Sequence, residues 1–457
     1  MRGGVSGRLH LRGQPDALHP ARRVRGLRCL RAGLPGGGDL LRGRRPGGRG
    51  RVLRHQREVL RHDRQPRRRR PHGQDRRRPP DGGRAAAARG VTSPLSGRLP
   101  DFPWDTIAGA KARAAAHPDG LCDLSVGTPV DPVPPAAQRA LAEAAPDWAG
   151  YPTVWGTPTL RAAIRAYLEG RWSSVPLTDA NVLPVVGTKE LVALLPLQLG
   201  VGPGRTVVIP TTAYPTYEVG ARIAGAEVLA TDDPAAAAAA NPALIWINSP
   251  ANPHGAILDA DALRAWVAAA RSCGAVLASD ECYGEFGWDA EPVSVLDPAI
   301  NGGSLDGLLA AFSLSKRSNL AGYRAGFVAG DAAVVGELLA VRKHSGLMVP
   351  GPVQAVMEAM LADDAHVQEQ RERYLARRAV LAPALEASGF RIDDSEGSLY
   401  LWATRGEDCR ATVDWLAERG ILAAPGDFYG EAGREHVRIA LTASDERIAA
   451  AASRLLG

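Results

Sequence analysis

Short apolar runs alternate with longer amphipathic segments along the chain from about residue 95 onward. The runs TVVIP, LIWINS, AVLASDE and LLAAFSL end in turn residues, a pattern typical of strands that are buried on both faces. Strands that alternate with helices predict a mostly parallel sheet with right-handed crossovers. The helical spacing of apolar residues predicts helices at 135–145, 157–170, 259–272, 333–343, 350–361, 364–387 and 445–455.

The pattern changes near residue 333, where long helices precede shorter strand-like runs such as LYLWATR and HVRIALT. The predicted fold class is therefore α/β: a large domain whose mostly parallel sheet is flanked by helices, plus a smaller α+β domain. We place an N-terminal arm and part of the small domain at 93–145, the large domain at 146–332 and the rest of the small domain at 333–457. The alanine run at 235–240, which follows Asp-Asp-Pro, is predicted to be a loop.

Residues 1–90 differ from the rest of the chain in composition. They contain 26 arginines, no lysine and six acidic residues, a net charge of +20, whereas the other 367 residues carry 29 basic and 43 acidic side chains. The segment has no Phe, Tyr, Trp or Ile, so it lacks the side chains that a folded core needs. We interpret 1–92 as an Arg-rich extension: either a start assigned too early, with Val91 as the initiator, or a disordered basic tail.

Charge and cysteine usage narrow the class of protein. The formal net charge of +6 does not favour a nucleic-acid partner, because the positive excess is confined to the extension. No apolar run is long enough to span a bilayer. Cys122, Cys273, Cys282 and Cys409 are irregularly spaced, which favours reduced thiols in a cytoplasmic protein over disulfides or a metal site. Cys282 is expected to point into the core.

The most informative chemistry follows the run LLAAFSLSK, which ends in Lys316. A partly desolvated lysine at the end of a buried strand can form a Schiff base with a carbonyl substrate or with pyridoxal phosphate (PLP). Ser313, Ser315 and Arg324 supply donors for a phosphate group. The glycine turn at 187–189 opens a predicted helix, whose N-terminus can bind the same phosphate.

Three further polar residues follow apolar, strand-like runs: Asn252, Asp280 and Tyr283. Ligands of open α/β sheets bind beyond the carboxyl ends of the strands, so Asn252, Asp280 and Lys316 are expected to project into one crevice. Asp280 could pair with a protonated pyridine nitrogen, since a buried aspartate without a partner is unfavourable. Asn252 and Tyr283 could hydrogen-bond the ring hydroxyl oxygen of PLP.

At these residues the chain resembles class I/II aminotransferases of PLP fold type I. The resemblance covers roughly residues 95–457 and is greatest to actinobacterial N-succinyldiaminopimelate aminotransferases. His254 departs from the threonine that the family usually has at this turn. The matching segments are GTKE at 187–190, AYPTY at 213–217, NSPANPHG at 248–255, SDECY at 279–283, SLSK at 313–316, GYRAG at 322–326 and VRIALT at 437–442.

The resemblance implies a homodimer with shared active sites and a specific reaction. Glutamate gives its amino group to PLP, and N-succinyl-2-amino-6-oxopimelate accepts it in lysine biosynthesis. The catalytic residues implied are Lys316, Asp280 and Tyr214, and the substrate carboxylate is expected at Arg438 and Gly127. The residues implied to bind the cofactor are Gly187, Thr188, Lys189, Tyr214, Asn252, Asp280, Tyr283, Ser313, Ser315, Lys316, Arg324 and, from across the dimer interface, Tyr151.

Three alternatives stay open at this point. One is another aminotransferase of the family, acting on aspartate, aromatic amino acids or LL-diaminopimelate. Another is a PLP lyase that cleaves a C–S bond. The third is a transcription regulator with a DNA-binding arm, but such an arm needs a compact helical domain, and residues 1–90 show no apolar periodicity.

Overall fold

The structure, a computed structural model, describes residues 95–457, and these residues pack as one unit. The predictions made for residues 1–92 concern a segment outside the described range. The helices are α1 Ala108–Ala115, α2 Pro135–Ala144, α3 Pro158–Trp172, α4 Thr188–Gln198, α5 Thr216–Ala224, α6 Pro234–Ala239, α7 Ala260–Cys273, α8 Pro298–Asn301, α9 Leu314–Arg317, α10 Ala332–Ser345, α11 Gly351–Leu361, α12 Ala365–Ala387, α13 Cys409–Glu418 and α14 Asp445–Leu456.

The strands form three sheets of unequal size. The largest has seven strands in the order β2-β8-β7-β6-β5-β3-β4, and a four-stranded sheet has the order β12-β13-β10-β9. The strands are β1 Cys122–Asp123, β2 Val182–Val185, β3 Thr206–Ile209, β4 Glu227–Ala230, β5 Leu244–Asn248, β6 Val276–Asp280, β7 Leu308–Ser313, β8 Gly326–Gly330, β9 Arg391–Asp393, β10 Tyr400–Thr404, β11 Ile421–Leu422, β12 Ala424–Pro425 and β13 His436–Ala440.

The seven-stranded sheet is mostly parallel. Strands β4, β3, β5, β6 and β7 pair in parallel, and β8 runs antiparallel to both of its neighbours. Alternate residues of one strand enter different cores: Ile245 and Ile247 contact one cluster, and Leu244 and Trp246 contact the other. Because helices cover both faces, the central strands are apolar throughout, as the sequence pattern predicts. The α/β fold class is confirmed.

The four-stranded sheet is antiparallel and packs with α1, α12, α13 and α14 around a core of its own. Strands β10 and β13 lie at its centre, and Trp402 is the register partner of Arg438. This sheet faces the carboxyl ends of β5 and β6, since Asn252 after β5 contacts Arg438 on β13. The division into domains at 93–145, 146–332 and 333–457 stays a prediction.

The predicted helices are confirmed to within about two residues at each end. The alanine run is an exception, because α6 occupies the segment predicted to be a loop. Asp233 caps this helix by accepting a hydrogen bond from the Ala235 amide at 2.8 Å, and Pro234 at the first helical position has no amide to leave unpaired. Within residues 95–457, no helix combines the length and apolar character needed to cross a bilayer.

Candidate active site

A cavity of about 330 Å³ lies where the carboxyl ends of β5, β6 and β7 meet the four-stranded sheet. The size suits a small organic ligand. The predicted site residues that line it are Gly127, Thr188, Lys189, Tyr214, Asn252, Asp280, Tyr283, Ser313, Ser315, Lys316, Arg324 and Arg438. Asn252, Asp280 and Lys316, the three residues expected in one crevice, all line this cavity.

Lys316 enters the cavity from α9, the single helical turn that follows β7. Ser313 caps this turn, because its hydroxyl accepts a hydrogen bond from the Ser315 amide at 3.2 Å. The Lys316 ammonium donates to the carbonyl of Gly127. The short turn thus holds a half-buried amine at the centre of the cavity, within reach of a carbonyl ligand.

Asp280 is the last residue of β6 and is buried. Its carboxylate accepts hydrogen bonds from the Tyr217 hydroxyl at 2.8 Å and from the Cys282 amide at 3.2 Å. Burial raises the pKa of Asp280, and these hydrogen bonds with the charge of Lys316 offset only part of that effect. A cation placed beside Asp280 would therefore relieve an unfavourable buried charge.

Another part of the cavity has the donors of an anion site. Gly187 ends the turn before α4 with φ 76°, and a Cβ atom there would overlap the guanidinium of Arg324. Only glycine leaves room for that side chain. Arg324 itself has the left-handed φ of 57°. With the amides at the start of α4 and the hydroxyls of Ser313 and Ser315, this corner can bind a phosphate group.

Arg438 lies inside strand β13 and is 3% exposed. It donates to the side-chain oxygen of Asn252 at 2.9 Å and to the carbonyl of Ser125 at 2.7 Å, and its Nε atom has no partner among the described residues. A buried guanidinium without a carboxylate is unfavourable unless a ligand supplies one. The site thus contains a position for a ligand carboxylate.

Sequence reasoning missed Tyr400 and Tyr217, although both contact predicted site residues. Tyr400 begins β10, and its hydroxyl lies 2.8 Å from that of Tyr283. Tyr217 is on α5, one helical turn after Tyr214, and binds Asp280. The i, i+3 spacing of tyrosines in AYPTY was a usable signal for Tyr217, whereas Tyr400 reads as an ordinary aromatic residue of a buried strand.

Tyr214 lines the cavity and contacts Tyr217 edge to face, with ring centroids 5.8 Å apart. Burial raises the pKa of Tyr214 to about 12, so its hydroxyl stays protonated over the range in which enzymes work. The ring is available to pack against a planar ligand in the cavity.

One expectation, for Cys282, is met only in part, and another, for Tyr151, concerns a side chain outside the cavity. Cys282 packs against the core of the four-stranded sheet, as expected, but it also lines the cavity, and its thiol donates to the hydroxyl of Thr188 at 3.3 Å. It follows β6, which ends at Asp280, so strand alternation does not decide which way its side chain points. Tyr151 is 95% exposed and does not line the cavity; its role across a dimer interface stays a prediction.

The cavity is electropositive. Four cationic side chains line it, namely Lys189, Lys316, Arg324 and Arg438, against the single acid Asp280. Within residues 95–457, none of the four forms an ion pair with a carboxylate, and those with hydrogen bonds donate to carbonyl or amide oxygens. Such a site attracts ligands that carry more than one negative group.

Comparisons with known proteins agree with this geometry. The profile of the family "Aminotransferase class I and II" matches residues 119–455. A probable aminotransferase of Mycobacterium tuberculosis is 58% identical over 393 residues, covering 83% of this chain and 93% of the relative. The 4-dedimethylamino-4-oxo-anhydrotetracycline transaminase OxyQ of Streptomyces rimosus is 58% identical over 357 residues, covering 78% and 99%. An aminotransferase structure from Neisseria meningitidis has TM-score 0.71 at 30% identity, covering 79% and 98%.

The chain therefore belongs to the class I and II aminotransferase family, and it is a PLP-dependent enzyme of fold type I. The cavity fits this cofactor in three respects. It presents a lysine for the aldehyde, the buried carboxylate of Asp280 for a ring nitrogen, and the hydroxyl, amide and guanidinium donors of the phosphate corner. The glycines at 127 and 187 keep the approach open, since a Cβ atom at either position would overlap Tyr400 or Arg324.

Proposed function

We propose that the enzyme transfers the amino group of glutamate to N-succinyl-2-amino-6-oxopimelate, a step of lysine biosynthesis. The observation that carries the proposal is the excess of cationic side chains in the cavity that form no ion pair within residues 95–457. The phosphate corner and Lys316 account for the cofactor, which leaves the guanidinium of Arg438 and the ammonium of Lys189 for carboxylates. Glutamate and the succinylated acceptor both carry a second carboxylate beyond the α-carboxylate, as this charge pattern favours.

Lys189 suits a distal carboxylate because its side chain is exposed at the mouth of the cavity and forms no ion pair within residues 95–457. Its ammonium lies 6.0 Å from the centroid of the Phe102 ring on the N-terminal arm. The backbone of Lys189 remains free to help bind the phosphate at the start of α4. Arg438 is buried beside Asn252 and Ser125 and suits the α-carboxylate, which every amino acid substrate carries.

In this proposal the residues of the site have separate roles in the reaction. When bound, PLP accepts the electrons released at the substrate's α-carbon. Lys316 removes the α-proton, which a positioned amine can do as a general base. Asp280 keeps a proton on the ring nitrogen, and Tyr214 packs on the ring. Arg438 fixes the carboxylate so that the α-proton faces Lys316.

Two groups of relatives, which differ in their sequence identity to this chain, bear on the choice of acceptor. LL-diaminopimelate aminotransferases of several bacteria are 27–29% identical to this chain, which favours a diaminopimelate-like substrate. A second candidate acceptor comes from OxyQ, because that relative is 58% identical and matched over 99% of its length. Its name describes transamination of a tetracyclic ketone, so we propose a bulky cyclic ketone as the alternative acceptor.

An acceptor panel tests the proposal. Purified holoenzyme is first converted with glutamate in a single turnover, monitored by cofactor absorbance and by release of 2-oxoglutarate. The converted enzyme is then mixed separately with the succinylated oxopimelate, the tetracyclic ketone, oxaloacetate and an aromatic keto acid. We expect the highest kcat/KM with the succinylated acceptor. A higher kcat/KM with the tetracyclic ketone would instead identify cyclic ketones as the acceptor class. Release of ammonia from a thioether amino acid would identify the enzyme as a lyase.

The Lys189→Met variant tests whether Lys189 binds the distal carboxylate of the acceptor. A hydrogen bond to a charged group contributes about 1.5–3 kcal/mol, so we expect kcat/KM for the succinylated acceptor to fall roughly 10- to 100-fold. The value for a monocarboxylic keto acid should stay near wild type. Lys343→Met, an exposed lysine at the end of α10, is the matched control. Equal losses with both acceptors would contradict the distal role of Lys189.

We also propose that the enzyme acts as a homodimer in which Tyr151 of one copy contributes to the site of the other. The 95% exposure of this tyrosine within one chain supports an external partner for it. Lys316→Ala and Tyr151→Phe variants are co-refolded as mixed dimers. If the sites are shared, mixed dimers contain one site with both defects and one intact site, and activity is recovered. Lack of recovery from proven heterodimers would contradict the sharing of Tyr151.

A further inference from the structure

Two tyrosine hydroxyls meet in the wall of the cavity. The Tyr283 and Tyr400 oxygens are 2.8 Å apart, and both side chains are buried. Tyr283 follows β6 of the seven-stranded sheet, whereas Tyr400 begins β10 of the four-stranded sheet. The hydrogen bond therefore joins the cofactor side of the cavity to the side that carries Arg438.

The surroundings of the two phenols determine which of them donates. Burial alone would raise the pKa of Tyr400, but the positive charges of Arg438 and Lys316 outweigh it and lower that pKa. The guanidinium of Arg438 lies 4.1 Å from the centroid of the Tyr400 ring. Burial raises the pKa of Tyr283. The more acidic hydroxyl is the better donor, which favours Tyr400 as the donor and Tyr283 as the acceptor in this hydrogen bond.

Packing fixes the Tyr400 hydroxyl in this arrangement. Gly127 approaches it so closely that a Cβ atom on residue 127 would overlap the phenol oxygen. The carbonyl of the same glycine accepts the hydrogen bond of Lys316. Tyr400 thus has a defined position relative to the catalytic lysine, to the carboxylate site and to Tyr283.

We propose that Tyr400 is a positioning residue for transamination, whose hydroxyl donates to Tyr283 and so directs the proton of Tyr283 at the ring oxygen of the cofactor. The inference rests on the proposed role of Tyr283 toward that oxygen. A phenol that accepts one hydrogen bond becomes a stronger donor in the next one, because bonds in a chain polarise each other. Tyr400 would also sense the occupancy of Arg438, since a bound carboxylate neutralises the charge over its ring.

The pH titration of cofactor absorbance in the holoenzyme tests this chain of hydroxyls. A hydrogen bond to the negative ring oxygen stabilises the deprotonated cofactor, so weakening it must move the titration midpoint to higher pH. We expect Tyr283→Phe to raise the midpoint by about one pH unit and Tyr400→Phe by roughly half as much. The double variant should match Tyr283→Phe alone, because Tyr400 acts only through Tyr283.

Tyr429→Phe is the matched control. This tyrosine is also buried and lies near Arg438, 5.1 Å from the guanidinium to its ring, but its hydroxyl has no partner among the described residues. Its removal should leave the midpoint unchanged. Should Tyr400→Phe fold poorly, a fluorinated, more acidic tyrosine at position 400 gives a second test, with the midpoint expected to move to lower pH.

The outcomes separate this inference from the proposed function. No shift in Tyr283→Phe would refute the role of Tyr283 toward the cofactor. A shift in Tyr283→Phe without one in Tyr400→Phe would overturn the role of Tyr400 alone. Additive shifts in the double variant would also overturn it, because the two hydroxyls would then act independently.

Discussion

The two sides of the cavity are built in different ways. On the seven-stranded sheet, the functional residues lie where strands end: Asn252 follows β5, Asp280 ends β6 and Ser313 ends β7. On the four-stranded sheet, Tyr400 begins β10 and Arg438 lies within β13. Residues at strand ends can be recognised in the sequence by the turn residues that follow them. Their position at the edge of the sheet follows from the direction of the strand. Residues inside strands depend on partners that only the folded chain brings close.

The comparison also separates two tasks. The seven-stranded side offers the lysine, the carboxylate and the phosphate donors, so changes there should alter how the cofactor is bound. The four-stranded side offers the guanidinium and the phenol, so changes there should leave cofactor loading intact and affect either substrate binding or the titration of the bound cofactor. Variants on each side test whether these two tasks are separate.

Lys316→Ala should have the largest effect. On the proposed roles of Lys316, the variant loses both the covalent link to the cofactor and the general base, so we expect turnover with glutamate to fall at least about 10⁴-fold. Loading can persist through the phosphate corner, without the absorbance typical of the lysine-bound cofactor. Lys343→Ala, on the exposed end of α10, is the control. Activity near wild type in Lys316→Ala would refute the assignment of this lysine.

Arg438→Ala should have the next largest effect. Removing one partner of a buried charge pair costs about 2–5 kcal/mol, which predicts a loss in kcat/KM of roughly 30- to 4,000-fold. The loss should be parallel for glutamate and for a monocarboxylic amino acid, since both carry the α-carboxylate. Cofactor loading, measured by equilibrium dialysis, should be unchanged. A loss confined to glutamate would assign Arg438 to the distal carboxylate instead.

Gly127→Ala acts where the two sides touch. The added methyl group would overlap the Tyr400 hydroxyl, and overpacking of this kind typically costs about 1–3 kcal/mol. We expect a roughly 10- to 100-fold fall in kcat with a smaller change in loading, measured on the same preparation. Gly336→Ala, in α10 with open space around it, should behave like wild type. If Gly127→Ala does so too, the close approach has no catalytic consequence.

Glu281→Gln should change stability and its pH dependence more than catalysis. Glu281 is 4% exposed, accepts a hydrogen bond from the Val295 amide at 3.0 Å, and has its pKa raised to about 7 by burial. The Glu281 carboxyl therefore binds its proton more tightly in the folded chain than in the unfolded chain, where its pKa is 4.5. The free energy of unfolding should fall as pH rises from about 4.5 to about 7, by about 3 kcal/mol in total.

Denaturant titrations across this pH range check the prediction. Glu281→Gln cannot titrate, so its unfolding free energy should lack this fall, whereas the exposed control Glu418→Gln should keep it. The same pH dependence in Glu281→Gln and wild type would mean that another group is responsible.

Much of the fold and of the cofactor side could be predicted from the sequence, because strands buried on both faces are continuous apolar runs and their ends carry Asn252, Asp280 and Lys316. The helix at 234–239 was predictable from the Asp-Pro start and the helix propensity of alanine. Tyr400 was not, because its role depends on Tyr283, 117 residues earlier in the chain. The contact of Cys282 with the cavity was not predicted, because strand alternation was extended past the end of β6 at Asp280.

The left-handed backbone of Arg324 has a consequence for the evolution and engineering of this enzyme. A non-glycine residue at φ 57° costs on the order of 1 kcal/mol relative to glycine. Arg324→Gly should therefore relieve backbone strain while removing the guanidinium from the phosphate corner. A selection for thermal tolerance of the cofactor-free chain would favour glycine at this position, whereas a selection for growth would retain arginine. Stability and activity are opposed at a single residue here, and thermostabilising libraries should exclude it.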